Sequence, residues 1–290
     1  MDIYLETALE CSKLITNKYS TSFSLGIRLL GKKYRKAIYG IYGFVRLADE
    51  IVDTFNDFDR KELLRQFMKD TYQAIDEKIS TNPVLHSFQW TVNTYSIDRE
   101  LIEAFLHSMK MDLTERRYSH EKYNTYIYGS AEVVGLMCLQ VYYFGDRHQY
   151  NQLKDSARFL GRAFQQVNFL RDLKEDYIQR GRVYFPGINF EKLTIIDKRN
   201  IEDDIDKNFR EALQGIKILK KGVRLGVYCA YTYYLELFQK IKNLPPERIM
   251  KSRIRITNYY KFWLLIKSSV QLLFIKRINK ERLKIEYVLD

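Results

Sequence analysis

Gly161-Arg-Ala-Phe-Gln165-Gln-Val-Asn168-Phe-Leu-Arg171-Asp172-Leu-Lys-Glu-Asp176 contains no Pro and no Gly after its first residue, which predicts a helix. On a helix Gln165, Asn168, Asp172 and Asp176 share one stripe, two amides followed by two carboxylates. Asp172 and Asp176 then sit with Cβ atoms about 6 Å apart, and their repulsion is roughly 3 kcal/mol at an effective dielectric of 20. A cation between them relieves it. Two carboxylates and an amide oxygen make an all-oxygen set that suits a hard ion such as Mg²⁺ or Mn²⁺, held together with waters and phosphate oxygens. Acid pairs at this spacing are also common on solvated helix faces, where Arg171, Lys174 and Glu175 would make ordinary surface pairs.

A second stretch adds weight to the metal reading. Residues 37–53, Ala-Ile-Tyr-Gly-Ile-Tyr-Gly-Phe-Val-Arg-Leu-Ala-Asp-Glu-Ile-Val-Asp, form an apolar, Pro-free run. Helical spacing puts Tyr42, Arg46, Asp49 and Asp53 on one stripe. Two such helices facing each other frame a cavity with four carboxylates, and a cluster of that kind suits diphosphate bound with divalent cations.

On these two motifs, Asp49-Glu-Ile-Val-Asp53 and Gln165 to Asp176, the chain resembles the squalene and phytoene synthase family of head-to-head prenyl transferases. The match runs from the Ser20-Thr-Ser22-Phe23-Ser24 cluster to about residue 255. The resemblance implies an all-α, single-domain isoprenoid synthase bundle around a central cavity. It implies Asp49, Asp53, Asp172 and Asp176 as catalytic acids that hold metal with help from Asn168. It also implies a loop at the cavity mouth in which Ser20 and Ser22 contact diphosphate beside Phe23; read from its residues alone, the cluster is a turn and an N-cap. Arg46, Arg171 and Arg253 would hold the leaving diphosphate, with Tyr42, Gln165 and Tyr234 nearby. Tyr184, in Arg180-Gly-Arg182-Val-Tyr184-Phe185-Pro186, would close over the reacting centre as a flap, although the same segment reads equally as a helix C-cap. Tyr128 and Gly135 match a helix that the family interrupts beside the bound chain. Glu132 stands where a small residue is common, and a charge beside the tunnel is costly unless it points away.

Composition agrees with one large helical unit. The 290 residues are 46% hydrophobic and carry only 4 Pro and 13 Gly, while apolar spacings of three and four recur throughout. Helices are expected over 2–18, 61–78, 98–117, 122–144 and, as a pair, 208–242. The catalytic domain is expected over 1–258. Gly40 and Gly43 suit close packing against another helix, or alternatively room for a prenyl tail. Asp112, among Phe105, Met109 and Met111, reads as an acid behind the metal ligands or as a salt-bridge partner of Lys110 or Arg116. The acidic run at 202–206 reads as a solvated face. Gly26 to Lys33 imitates a phosphate-binding loop but ends in Lys33 where Ser or Thr is required.

Cys11, Cys138 and Cys229 lack the spacing of a zinc site or a disulfide framework. No signal sequence and no membrane-spanning run is evident, so a cytoplasmic protein is expected. Net charge is +12, of which +8 lies from Arg248 onward. Residues 259–290 combine part of that charge with Phe262, Trp263, Leu264, Leu265, Leu272, Leu273 and Phe274. Such a segment suits peripheral attachment to an anionic membrane, or else a final core helix, and nucleic acid is not an expected partner.

The reaction expected from the resemblance joins two geranylgeranyl diphosphates into phytoene through a cyclopropylcarbinyl diphosphate. Farnesyl diphosphate, giving dehydrosqualene or squalene, is the alternative. No dinucleotide fingerprint is present and no NADPH is expected. A non-catalytic assembly factor of the same fold would be expected to lack motif aspartates, and all four are present.

Overall fold

The computed structural model describes residues 2–257, 259–261, 263–264 and 266–268. Among them the chain forms α1 (Ile3–Tyr19), α2 (Thr21–Arg28), α3 (Lys32–Asp53), α4 (Arg60–Glu77), α5 (Pro83–Tyr95), α6 (Arg99–Thr114), α7 (His120–Ile127) and α8 (Val133–Tyr142). There follow α9 (Arg147–Lys174), α10 (Ile195–Ile218), α11 (Lys221–Lys242) and the short α12 (Pro246–Ile249). A π-helical turn, Tyr128–Glu132, joins α7 to α8, and a second, Glu175–Gln179, extends α9. No strand forms among the described residues; Arg117 and Val183 make one isolated parallel bridge.

The all-α expectation holds. Two long helices organise the bundle: α3 lies against α1 and α5, and α9 lies against α8 and α10. On α3 the face carrying Ala37, Ile41, Phe44 and Ala48 is sealed, with Phe44 stacked on Phe88 of α5 at 3.8 Å between ring centroids. Gly40 and Gly43 serve this packing. A Cβ on Gly40 would meet Thr91 Oγ1 at 2.6 Å, one on Gly43 would meet Ser12 Oγ at 2.6 Å, and neither glycine lines the cavity.

Several expectations need correction. The Ser20–Ser24 cluster is not a loop. Ser20 caps α2, its hydroxyl accepting the Phe23 amide at 3.2 Å, and the buried Ile27 fixes the helix to the core. Helix α5 was not evident in the sequence; the Asn82 carbonyl accepts the Val84 amide at 3.0 Å and Pro83 occupies the first turn. Helix α10 begins at Ile195, because Thr194 and Asp197 form a capping box. It thereby includes the acidic run, which is only partly solvated: Glu202 is buried against Lys198, while Asp203 and Asp204 are exposed.

Of the C-terminal segment, residues 259–261, 263–264 and 266–268 are helical, with Leu264 and Ser268 buried. Phe262, Leu265, Leu272, Leu273 and Phe274 lie outside the described residues. No helix among the described residues is long and apolar enough to cross a membrane.

Candidate active site

A cavity of about 290 Å³ lies between α3, α8, α9 and α11. Most of its wall is apolar, from Ile38, Ile41, Val134, Leu160 and Ile216. Its polar lining includes Asp49, Gln165 and Asn168, which gather with Tyr42 and Phe23 between the two acid-bearing helices. An apolar chamber with such a polar portion suits a long hydrocarbon with an anionic head.

Helical periodicity delivers the acids as expected. Asp49 and Asp53 lie one turn apart on α3, and Asp172 and Asp176 one turn apart at the end of α9 and in its π turn. Arginines bind them. Arg171 donates to both Asp172 oxygens at 2.9 and 2.5 Å, and Arg253 Nε stands 2.8 Å from Asp172 Oδ1. Arg46 pairs with Glu50 and lies 3.6 Å from Asp49. Arg180 reaches Asp176 at 2.8 Å and Asp53 at 3.7 Å, so one guanidinium touches both acid pairs. Arg182 Nη1 donates to Asp53 Oδ1 at 2.6 Å.

Burial pushes Asp49 up to about 7 against the opposing pull of Arg46, with Asp53 and Asp112 adding repulsion. The Asp49 side chain keeps 35% of its surface, but it lines the cavity, and that enclosed surface does not give it bulk hydration. Asp176 is likewise pushed up to about 7 by burial, partly offset by Arg180. Burial therefore disfavours the ionised form of both acids even with the arginines in place.

Among the described residues no three His, Cys, Asp or Glu side chains converge as a ready-made metal cage. The donor set nevertheless fits a divalent cation that arrives with a phosphorylated substrate, because such ions take one or two carboxylates and complete their shell with waters and phosphate oxygens. Asp49, Asp53, Asp172 and Asp176, with the Asn168 amide oxygen, are the residues that would hold it.

An aromatic group flanks the acids. Phe23 packs on Tyr42 at 5.0 Å and on Tyr234 at 5.9 Å, and Tyr234 stacks on Phe164 at 4.0 Å. The Tyr234 hydroxyl donates to Asn168 Oδ1 at 3.2 Å, and Asn168 in turn donates to Gln165 Oε1 at 3.4 Å. The Tyr42 phenol is pushed up to about 12 by burial. Gly135 lines the cavity opposite Ala157.

Three expected site residues lie elsewhere. Ser22 is half-buried on α2 and does not line the cavity. Tyr128 is also outside the lining, its ring under the Arg158 guanidinium at 5.4 Å; Tyr126 reaches the cavity instead. Tyr184 is not a flap over the cavity. It is buried at 5% exposure behind the acids, stacked on Phe169 at 4.1 Å, and donates to Asp112 Oδ1 at 3.1 Å. Asp112 in turn takes neither Lys110 nor Arg116: it accepts Tyr126 at 2.8 Å and lies 3.7 Å from Arg182. Sequence reasoning left Tyr126, Phe164, Arg180 and Arg182 out of the site. The only local signal was the spacing of four from Asp176 to Arg180.

Residues 16–260 match the family model described as squalene/phytoene synthase. The chain belongs to the squalene/phytoene synthase family. It is 27% identical over 266 residues to a phytoene synthase of Arthrospira platensis, covering 80% of this chain and 83% of that protein. A chloroplastic phytoene synthase of an Oncidium hybrid cultivar is 29% identical over 255 residues, and this chain spans 60% of its length. A dehydrosqualene synthase structure superposes with a TM-score of 0.77 at 21% identity, covering 92% of this chain and 97% of that one. The squalene synthase HpnC from Alicyclobacillus acidocaldarius gives 0.70 at 19% identity, covering 83% and 95%. These two likenesses establish the shared fold. Family membership makes the chain a prenyltransferase of the head-to-head kind, acting on prenyl diphosphates, in a family that uses a divalent metal for such substrates.

Proposed function

We propose that this enzyme condenses two geranylgeranyl diphosphates into phytoene, with Mg²⁺ as the metal. The observation that carries the reading is the joining of acid pairs, arginines and an apolar, aromatic-flanked cavity between α3 and α9. The phytoene synthase relatives favour the C20 substrate over the C15 one.

The chemistry begins with the C1–O bond of one allylic diphosphate breaking, which leaves a carbocation and a trianionic leaving group. Mg²⁺, when bound, supplies positive charge to that leaving group. Arg46, Arg171 and Arg253 stand at the carboxylates where the diphosphate would sit and can hold it as it departs. The rings of Phe23, Tyr126 and Phe164 border the cavity and offer π faces to the cation, while the apolar wall excludes water. The 2,3 double bond of the second molecule attacks C1, and loss of a proton closes a cyclopropylcarbinyl diphosphate. A second C–O cleavage, rearrangement and loss of a second proton complete phytoene, with two diphosphates released in all.

Comparing kcat/KM for diphosphate release from geranylgeranyl and farnesyl diphosphates, with Mg²⁺ and without NADPH, tests the substrate. A higher value with the C20 substrate supports phytoene synthesis; a clear preference for C15 transfers the assignment to dehydrosqualene synthesis.

Peripheral attachment to a membrane is part of the proposal. Tyr259 is 92% exposed and Trp263 and Ile266 each 48%, on a segment whose Leu264 is packed inward. An aromatic face beside basic residues suits the boundary of an anionic bilayer, and a C40 hydrocarbon must leave into one. Co-sedimentation of the full chain with anionic but not with zwitterionic vesicles is the expected result; no sedimentation with either contradicts it.

A further inference from the structure

Glu132 is the last residue of the π turn and is 1% exposed, yet it does not line the cavity. Its two carboxylate oxygens are divided between two arginines of α9: Oε2 accepts Arg158 Nε at 2.8 Å and Oε1 accepts Arg162 Nε at 2.7 Å. Arg162 also donates to Asn124 Oδ1 at 3.1 Å, and Arg158 covers the Tyr128 ring. One buried acid thus ties α7, the π turn and α9 together.

The seam it fastens is a wall of the cavity. Ser130, Ala131, Val134 and Gly135 line the cavity from the side of the π turn. Ala157, Leu160, Gly161 and Phe164 line it from α9, and Arg158 and Arg162 each follow one of these by a single residue. The backbones touch: a Cβ on Gly161 would stand 2.5 Å from Ala131 O, and one on Gly135 would stand 2.8 Å from Ala157 O. Front and back of the seam are therefore coupled. The π turn, which carries one extra residue per hydrogen-bonded ring, is a rare form held here by these surrounding contacts.

We propose that Glu132 is a positioning residue that sets the width of the prenyl-tail cavity. By clamping the π turn to α9, it fixes Ala131 and Val134 relative to Gly161 and Phe164, and so selects between tail lengths. This rests on reading the cavity as the prenyl site. The chemistry of the clamp is specific to a carboxylate. A Gln in its place keeps one acceptor oxygen but turns an N–H₂ donor toward the second guanidinium, so one of the two bonds is lost and the seam is released on one side.

The test is calorimetric binding of the non-ionising thiolodiphosphate analogues of farnesyl and geranylgeranyl diphosphate, with Mg²⁺, to the full chain and to Glu132→Gln. Inorganic diphosphate serves as the head-group control. The expected result is a change of about fivefold or more in the ratio of the two analogue Kd values, with the Kd of inorganic diphosphate unchanged. Arg162→Lys, which keeps the charge but not the fork, should move the ratio in the same direction by less, and it serves where Glu132→Gln does not fold. A merely structural role lowers Tm and the active fraction and leaves the ratio alone. A ratio within twofold of the parent value in both variants overturns the inference. If the parent chain binds inorganic diphosphate but neither analogue, the reading of the cavity itself fails and the inference falls with it.

Discussion

Arg182 Nη1 lies 2.6 Å from Asp53 Oδ1, and this bond links the last residue of α3 to the segment that follows the second acid pair. Arg182 is itself 3% exposed and also meets Val52 O at 3.3 Å. The contact fixes the distance between the two halves of the site, and the chain returns to make it after Gly181, whose φ of +66° reverses the backbone.

Replacing Arg182 by Ala leaves Asp53 with Arg180 alone, at 3.7 Å, and leaves the buried Asp112 with two tyrosine hydroxyls and no cation. We expect a loss of about 3–5 kcal/mol of stability, read as a lower midpoint in urea, and Arg182→Lys should recover part of it. A midpoint unchanged in Arg182→Ala contradicts the proposed linkage.

Asp49→Asn and Asp172→Asn should each lower kcat/KM for diphosphate release by about 10²-fold or more. Their effects on stability differ. Asp172 already has two guanidinium partners, so its loss is destabilising, whereas Asp49 carries an unfavourable buried charge and its replacement should raise Tm at pH 8. Rate assays and thermal unfolding on the same preparations check both. An active Asp49→Asn, Asp172→Asn double variant sinks the mechanism.

The long helices and the acid stripes were legible in the sequence because α3 and α9 each keep one unbroken helical period over their motifs. The cavity face of the 126–135 region was not. A π turn adds a residue to the ring, so the register of Val134 and Gly135 on α8 cannot be carried back across it to tell whether Tyr126 or Tyr128 points inward. Arg180 and Arg182 were missed for a different reason. Their partner Asp53 is more than 120 residues away in sequence, and no local spacing signals such a pair. Tyr184 was misplaced because the resemblance suggested a mobile flap, while the chain buries its ring between Phe169 and Tyr126 and satisfies its hydroxyl on Asp112.

The raised acids give the metal-free protein a definite pH dependence. Asp49 and Asp176 move from an ordinary 3.8 to about 7 on folding, so between those values the folded chain binds more protons than the unfolded one. Their contribution to stability therefore falls as pH rises from about 4 to about 7. Mg²⁺ binds the ionised carboxylates, so it should raise Tm more at pH 8 than at pH 5. Thermal unfolding at both pH values with and without Mg²⁺ decides this; a Tm indifferent to Mg²⁺ at pH 8 contradicts it.

Gly161→Ala should be damaging although Ala is the better helix former. Its Cβ would stand 2.5 Å from Ala131 O, backbone that cannot swing aside, so helix α9 must move from the π turn. A loss of about 1–3 kcal/mol is expected, together with a higher KM for the prenyl substrate. A stabilised variant with unchanged KM would show that the seam is looser than its geometry.

The most direct test of the central claim is the mass of the hydrocarbon made when the full chain is incubated with Mg²⁺ and geranylgeranyl diphosphate, without NADPH. The account predicts a C40 phytoene and two diphosphates released per product. Release of no diphosphate from geranylgeranyl diphosphate would contradict it.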